Sequence, residues 1–277
     1  MNILVTGGAG FIGSHLCERL VKENNVTSLD NYFTGSEKNH IDGVRYIKGD
    51  TRNISDIKEV PDIIYHLGEY SRVTTSFEDI NLVHQFNIAG TFEVLEYCRK
   101  NKVRLIYAGS STKFGEFENI DTPYVHFKKS NTELVNKYGE WFGLDYAITY
   151  FYNVYGDREI STGKYSTLIG IFKEQYKQGK NLTVVLPGTQ KRIFTHVDDI
   201  VSGLILVGEK GNGDGYCIGA DKEYSILEVA KMFKSRIEFI NKKRGDRRNS
   251  KINTNKTKQL GWKPLKSLED YINDTIL

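Results

Sequence analysis

The chain has 277 residues, with 38 Lys or Arg against 35 Asp or Glu and a net charge of +3. That balance gives no reason to expect a nucleic acid or an anionic membrane as partner, and the length suffices for a substantial core. Cys17, Cys98 and Cys217 lie far apart without CxxC spacing, which predicts reduced thiols in a cytoplasmic protein and argues against a disulfide frame or a zinc site. No apolar run reaches eighteen residues, and a strand begins at Met1 with no basic-then-apolar leader; a soluble protein is expected.

In chain order, NILVT reads as the first strand. A helical pattern over Phe11–Lys22 follows, and then the strand VTSLD, ending at Asp30. VRYIKG, IIYHLG, RLIYAGS and DYAITYFY are further runs of strand length. Apolar positions at three- and four-residue steps predict helices over Asn81–Lys100 and Pro123–Phe142. After about Gly156 the pattern loosens into a helix near Thr167–Gln178, the strand LTVVLP, a helix near Asp198–Gly208 and a lysine-rich tail. Such alternation implies βαβ units and a parallel sheet covered by helices on both faces.

LVTGGAGFIGSH sets Gly7, Gly10 and Gly13 between the first strand and the first helix. In such a turn the first glycine permits the tight bend, the second a close approach to a pyrophosphate and the third close helix–strand packing, while the helix N-terminus offers amide donors. The spacing GxxGxxG differs by one residue from GxGxxG. Its context is more specific: Asp30 ends the second strand seventeen residues after Gly13, where an acid accepts hydrogen bonds from an adenosine ribose. A carboxylate there repels a 2′-phosphate, so NAD is expected over NADP. The predicted fold class is α/β, a Rossmann-like doubly wound parallel sheet with a smaller α/β C-terminal region.

With these residues in place, the sequence resembles the extended short-chain dehydrogenase/reductase family, in its nucleotide-sugar epimerase and dehydratase branch, over nearly the whole chain. TGGAGFIGSH, GDTRN, HLGEYSRV, NIAGT, AGSSTKFG, PYVHFK, FYNVYG and GTQKRIFTHVDDI follow in the family's order, and KTKQLGWKPLKSLEDYI looks like its usual ending. The resemblance implies cofactor contacts from Gly7, Gly10, Phe11, Ile12 and Gly13, from Asp30 and Asn31, from Asp50 and Thr51 beside the adenine, from Leu67, and from Tyr124 and Lys128. It implies a nucleotide-binding domain of residues 1–156 and 189–209, interleaved with a nucleotide-sugar-binding region of residues 157–188 and 210–277. It also implies homodimers paired through the helices near Asn81–Lys100 and Pro123–Phe142.

A YxxxK pattern is not specific among seventeen tyrosines. It recurs at Tyr176–Lys180, where it contains Gly179 and follows no serine-rich strand end, and that match reads as coincidence. Tyr124 differs, because Pro123 suits a first helical turn and Thr122 or Asp121 its cap. Four residues on, Lys128 lies about 40° round the helix from Tyr124, while Lys129 lies about 140° round. Lys128 therefore shares the tyrosine's face, and an ammonium beside a phenol stabilises the phenolate. A phenolate takes the proton of a sugar hydroxyl as its carbon gives hydride to NAD. By resemblance the lysine also binds the nicotinamide ribose, and Ser110 is the catalytic serine that bonds the reacting oxygen.

Dehydrating relatives carry Asp-Glu after the catalytic Thr, and decarboxylating ones usually keep a Glu at the second position. Ser111 and Thr112 stand there in this chain. Net reduction in this family mostly needs exchangeable NADPH, which Asp30 disfavours. The remaining reaction is epimerisation on a retained NAD, most often at C4 of a UDP-hexose; a reductase, a 2-epimerase, an atypical dehydratase or a non-enzymatic dinucleotide sensor are the alternatives. The resemblance sets Ser110, Ser111, Asn153 and Arg192 toward the substrate, with a further cation from Lys243 or Arg244; arginine's planar fork suits a diphosphate. Ile193 replaces the acid of the family's RDF. Glu69 replaces a small residue and is expected by default to point away from the site, the alternative being that it reads a sugar substituent, and Lys113 has no assigned role. His66, His126 and His196 lack metal-ligand spacing, so no metal is expected. Asp198 and Asp199 read as acids opening a helix.

Overall fold

The computed structural model describes residues 1–111, 122–241 and 252–277. Six strands, β1 (Asn2–Thr6), β2 (Asn25–Asp30), β3 (Arg45–Lys48), β4 (Ile63–His66), β5 (Arg104–Ser110) and β6 (Tyr146–Phe151), form a parallel sheet in the order 6-5-4-1-2-3. This is the order of dinucleotide-binding folds, whose ligands sit beyond the carboxyl ends of the strands where the order reverses. Here the reversal falls between β1 and β4, which pair from Ile3↔Ile63 to Thr6↔His66.

The strands are apolar on both faces because both are covered. Ile3, Val5, Ile63, Tyr65 and Ile106 enter one core cluster with Leu16 and Cys17 of α1 (Phe11–Leu20). Leu4, Ile64, Leu105 and Tyr107, one residue out of phase, enter another with Val94, Leu95, Val135 and Tyr138. The period-two alternation thus sorts these strand residues to one helical layer or the other. Each fully buried aliphatic side chain contributes about 1.5–3 kcal/mol. A separate cluster, including Phe172, Leu182, Val184, Phe194, Val229 and Phe233, is the core of the smaller region.

The expected helix Asn81–Lys100 is three pieces end to end: α2 (Ile80–Val83), a π-helical turn His84–Ala89, and α3 (Gly90–Asn101). Asn87 sits in the wide turn. Its amide donates to the Tyr70 carbonyl (3.1 Å) and accepts from the Tyr70 N–H (2.8 Å), tying the segment after β4 to the helix. α4 spans Pro123–Phe142, the predicted bounds.

Several segments pack or pair across the expected domain boundaries. Gly213–Ile218, inside the segment 210–277 assigned to the smaller region, is a seventh strand of the large sheet, parallel to β6. Trp262 likewise packs in the large domain's core. In the other direction, Lys191–Ile193 pairs with Glu223–Ser225 in a small antiparallel sheet of its own. Asp199 ties the tail down: its carboxylate accepts from the Leu265 and Lys266 N–H groups (both 3.0 Å).

Candidate functional site

A cavity of about 560 Å³ opens at the carboxyl ends of β1, β2, β4 and β5, within the usual range for small-molecule sites. Gly7 takes φ +75°, a conformation open to glycine, and a Cβ on Gly13 would stand 2.0 Å from the Gly7 carbonyl oxygen. α1 consequently starts hard against the strand end. Its N-cap, Gly10, brings no side-chain cap, so no side chain competes for the first-turn amides of Phe11, Ile12 and Gly13 in the cavity wall. Asp30 borders the same space and is nearly buried. Burial raises its carboxyl, against which the N–H groups of Tyr32 (2.8 Å) and Ala9 (2.9 Å) hold it down. An uncapped helix N-terminus and an acid at the end of β2 are the donor and acceptor that a dinucleotide's pyrophosphate and adenosine ribose require, so the residues present fit NAD.

Asn31, Thr51 and Leu67 also line the cavity. Asp50 does not. Its carboxylate caps the turn Thr51–Asp56 and accepts from Arg52 (Nε, 2.8 Å) and Asn31 (Nδ2, 3.3 Å), which holds it below the ordinary carboxylate range despite partial burial.

At the other end of the cavity stand Ser110 and Ser111, both nearly buried, with Tyr124 and Lys128. Thr122 caps α4 by accepting from the Val125 N–H (3.2 Å), which fixes Tyr124 in the first turn. Among the described residues the Tyr124 hydroxyl makes no hydrogen bond, and its ring packs with Tyr70, Val83 and Phe86. Lys129 is exposed. Tyr176 belongs to the smaller region's core and donates to the Ile276 carbonyl (3.2 Å), away from the cavity.

Glu69 departs from expectation. It points inward, its side chain 5 % exposed, and forms an ion pair with Lys128, itself 4 % exposed. The Lys128 ammonium also donates to the Tyr107 hydroxyl (3.0 Å) and the Ala108 carbonyl (2.5 Å), so its three protons all go toward β5 and Glu69. The second carboxylate oxygen accepts from Thr91 Oγ1 (2.9 Å), Asn131 Nδ2 (3.0 Å) and the Tyr107 hydroxyl (3.1 Å). Thr91 has one hydroxyl proton and gives it to Glu69. His66 must then donate from Nε2 to Thr91 (3.0 Å) and accept at Nδ1 from Thr6 (2.7 Å). That tautomer is neutral, and full burial, reinforced by Lys128, pushes the imidazole down to about 4. Burial, reinforced by Glu69, drives the Tyr107 phenol well above its ordinary value.

On the substrate side, Asn153 and Arg192 line the cavity. Asn153 has φ +30°, and its amide donates to the Ile193 carbonyl (2.7 Å); Ile193 itself is buried in the core, which is why an apolar residue stands there. Arg244, Lys243, Thr112 and Lys113 lie outside the described residues. The lining residues left unassigned in the sequence include two polar ones, Arg72 and Gln190. Arg72, inside the quoted HLGEYSRV, is half-buried and donates to the Tyr165 carbonyl (Nε, 2.7 Å) and to Ser71. Gln190, inside GTQKRIF, lines the wall with Oε1 buried and unpartnered. Their motif positions were the available signal. Among the described residues no three His, Cys, Asp or Glu side chains converge as metal ligands, and no helix is long and apolar enough to cross a membrane.

The family model described as "NAD dependent epimerase/dehydratase family" matches residues 3–219. An uncharacterised UDP-glucose epimerase of Bacillus subtilis is 31 % identical, the match covering 100 % of this chain and 97 % of the relative. A UDP-N-acetyl-alpha-D-glucosaminuronate decarboxylase of Bacillus cytotoxicus is 33 % identical over 82 % of this chain and 77 % of its own. The crystal structure of a Thermotoga maritima UDP-glucose 4-epimerase with UDP-glucose superposes with a TM-score of 0.93 at 27 % identity, covering 100 % of this chain and 97 % of that one.

Proposed function

We propose, because the chain belongs to the NAD dependent epimerase/dehydratase family, that it epimerises a nucleotide-diphosphate sugar at C4, with a UDP-hexose as substrate. The observation that carries this reading is the meeting of Tyr124, Ser110 and Ser111 with the uncapped N-terminus of α1 in one cavity. NAD, when bound, supplies a hydride acceptor that can return what it took. Tyr124 takes the proton of the C4 hydroxyl as that carbon is oxidised to a ketone, and gives it back after the sugar has turned its other face. Ser110 bonds the reacting oxygen throughout. Proton and hydride both return, so no further acid or base is needed. Ser111 adjoins Ser110 where dehydrating relatives have an acid, which favours epimerisation over loss of water.

Gly7, Gly10, Gly13 and the first-turn amides of α1 hold the pyrophosphate, and Asp30 the adenosine ribose. Asn153 and Arg192 face the substrate diphosphate, and the sequence offers Lys243 or Arg244 as a further cation. The protein works in the cytoplasm, in keeping with three free buried cysteines. It works as a homodimer through α2–α4, where Phe92 (45 %), Trp141 (60 %) and Phe142 (52 %) are exposed; light scattering on a sizing column gives the mass.

Purified protein incubated with UDP-glucose, UDP-glucuronic acid and their N-acetylated counterparts, without added cofactor, is expected to yield the C4 epimer of one of them by NMR. Loss of water or carbon dioxide, or turnover only with added NADPH, overturns the reading. Y124F is expected to lose turnover at least a thousandfold while retaining NAD; an active Y124F removes the assigned base.

A further inference from the structure

We propose that Glu69 is a positioning residue for this reaction, whose buried carboxylate holds the Lys128 ammonium against β5 and offsets its charge toward Tyr124. The inference rests on the reading of Tyr124 as the base.

The geometry carries it. A lysine ammonium has three donors, and those of Lys128 go to Glu69, the Tyr107 hydroxyl and the Ala108 carbonyl. None is left for the Tyr124 hydroxyl, although the helical spacing sets both residues on one face of α4. The carboxylate is itself fixed by Thr91, Asn131 and Tyr107, and Thr91 is held by His66, which Thr6 holds in turn. Residues from β5, α3 and α4 therefore converge on one oxygen pair, with His66 of β4 and Thr6 of β1 behind Thr91.

The charged and titratable groups facing this pair come from every neighbouring element. From α4 there are Lys128 and Tyr124, from β5 Tyr107, from β4 His66, and from the segment after β4 Arg72, which lines the same cavity. His66 and Tyr107 stay neutral between pH 5 and 9 for the reasons given above, and Arg72 stays cationic. Among the described residues Glu69 is the carboxylate that pairs with the Lys128 ammonium. A bare ammonium favours the phenolate; a neutralised one favours it less.

E69Q keeps the shape and an acceptor for Lys128 but removes the negative charge. The experiment follows ionisation of Tyr124 by ultraviolet difference titration of the NAD-bound protein, with Y124F as blank in each background. The midpoint in E69Q is expected to move to lower pH by about one unit, a tenfold change in the ionisation constant. The acidic limb of the turnover profile should move with it. T91V, which removes one donor to Glu69 and leaves its charge, should leave the midpoint in place. Should E69Q not fold, E69A, with the small side chain the family usually carries here, is titrated in the same way with the same expectation. An unmoved midpoint in folded E69Q or E69A, or an equal shift in T91V, overturns the proposal. The titration requires no substrate, so a protein that epimerises nothing still tests it, and an epimerase with an unmoved midpoint fails it alone.

Discussion

Replacing Lys128 by methionine tests the pair from the other side, through stability. The two side chains are 4 % and 5 % exposed, so K128M leaves a carboxylate that water does not reach. Breaking a buried pair by removing one partner typically costs about 3–5 kcal/mol. Glu69 keeps three neutral donors, Thr91, Asn131 and Tyr107, which retain part of its solvation and put the expected loss near the lower bound, about 3 kcal/mol. In a chain of this size that lowers Tm by about 5 °C. Urea unfolding followed by circular dichroism measures it, and an unchanged m-value shows that the denatured state is not the cause. The E69Q/K128M double variant has no stranded charge and is expected to be more stable than K128M alone, although no more active. A K128M protein within about 1 kcal/mol of the parent, or a double variant as unstable as K128M, would refute the buried pair.

Two further outcomes follow from the site. Asp30 accepts two backbone N–H bonds and borders the cavity; D30N is expected to weaken NAD binding at least about tenfold, about 1.4 kcal/mol, and to narrow the preference over NADP, both read by calorimetry. His66 is neutral when folded, at about 4 against about 6.5 unfolded, so the unfolded chain binds the extra proton between those values. Its contribution is therefore intact above pH 6.5 and lost as pH falls toward 4, up to about 3 kcal/mol; urea midpoints from pH 7 to 4.5 should fall more steeply for the parent than for H66Q.

The parts that were legible in the sequence share a cause: their signals are local. α4 begins at Pro123 because Thr122 caps it, and stops at Gly143, which takes φ +66°; both ends are written within a few residues. The glycine turn and Asp30 are local in the same sense, since one βα unit carries them. The strand Gly213–Ile218 was not legible, because GDGYCI lacks alternation and becomes a strand by pairing with β6 far back in the chain. The π turn at His84–Ala89 was hidden for a related reason: what occupies it is Asn87, whose partner is the Tyr70 backbone seventeen residues earlier.

Lys128 shows where such reasoning stops inside the site. Helical periodicity fixes the direction in which a Cα–Cβ bond leaves the helix, and it placed Lys128 on the face of Tyr124. It does not fix the end of a four-carbon stem, which goes to the strongest acceptor within reach. Here that acceptor is a carboxylate 59 positions earlier in the chain, in the segment after β4. The departure of Glu69 from a small residue was visible, but its meaning depended on what stood opposite. A glutamate beside exposed backbone would indeed turn to solvent. Opposite a buried ammonium, with Thr91, Asn131 and Tyr107 ready to donate, the inward rotamer is the only one that leaves neither charge alone.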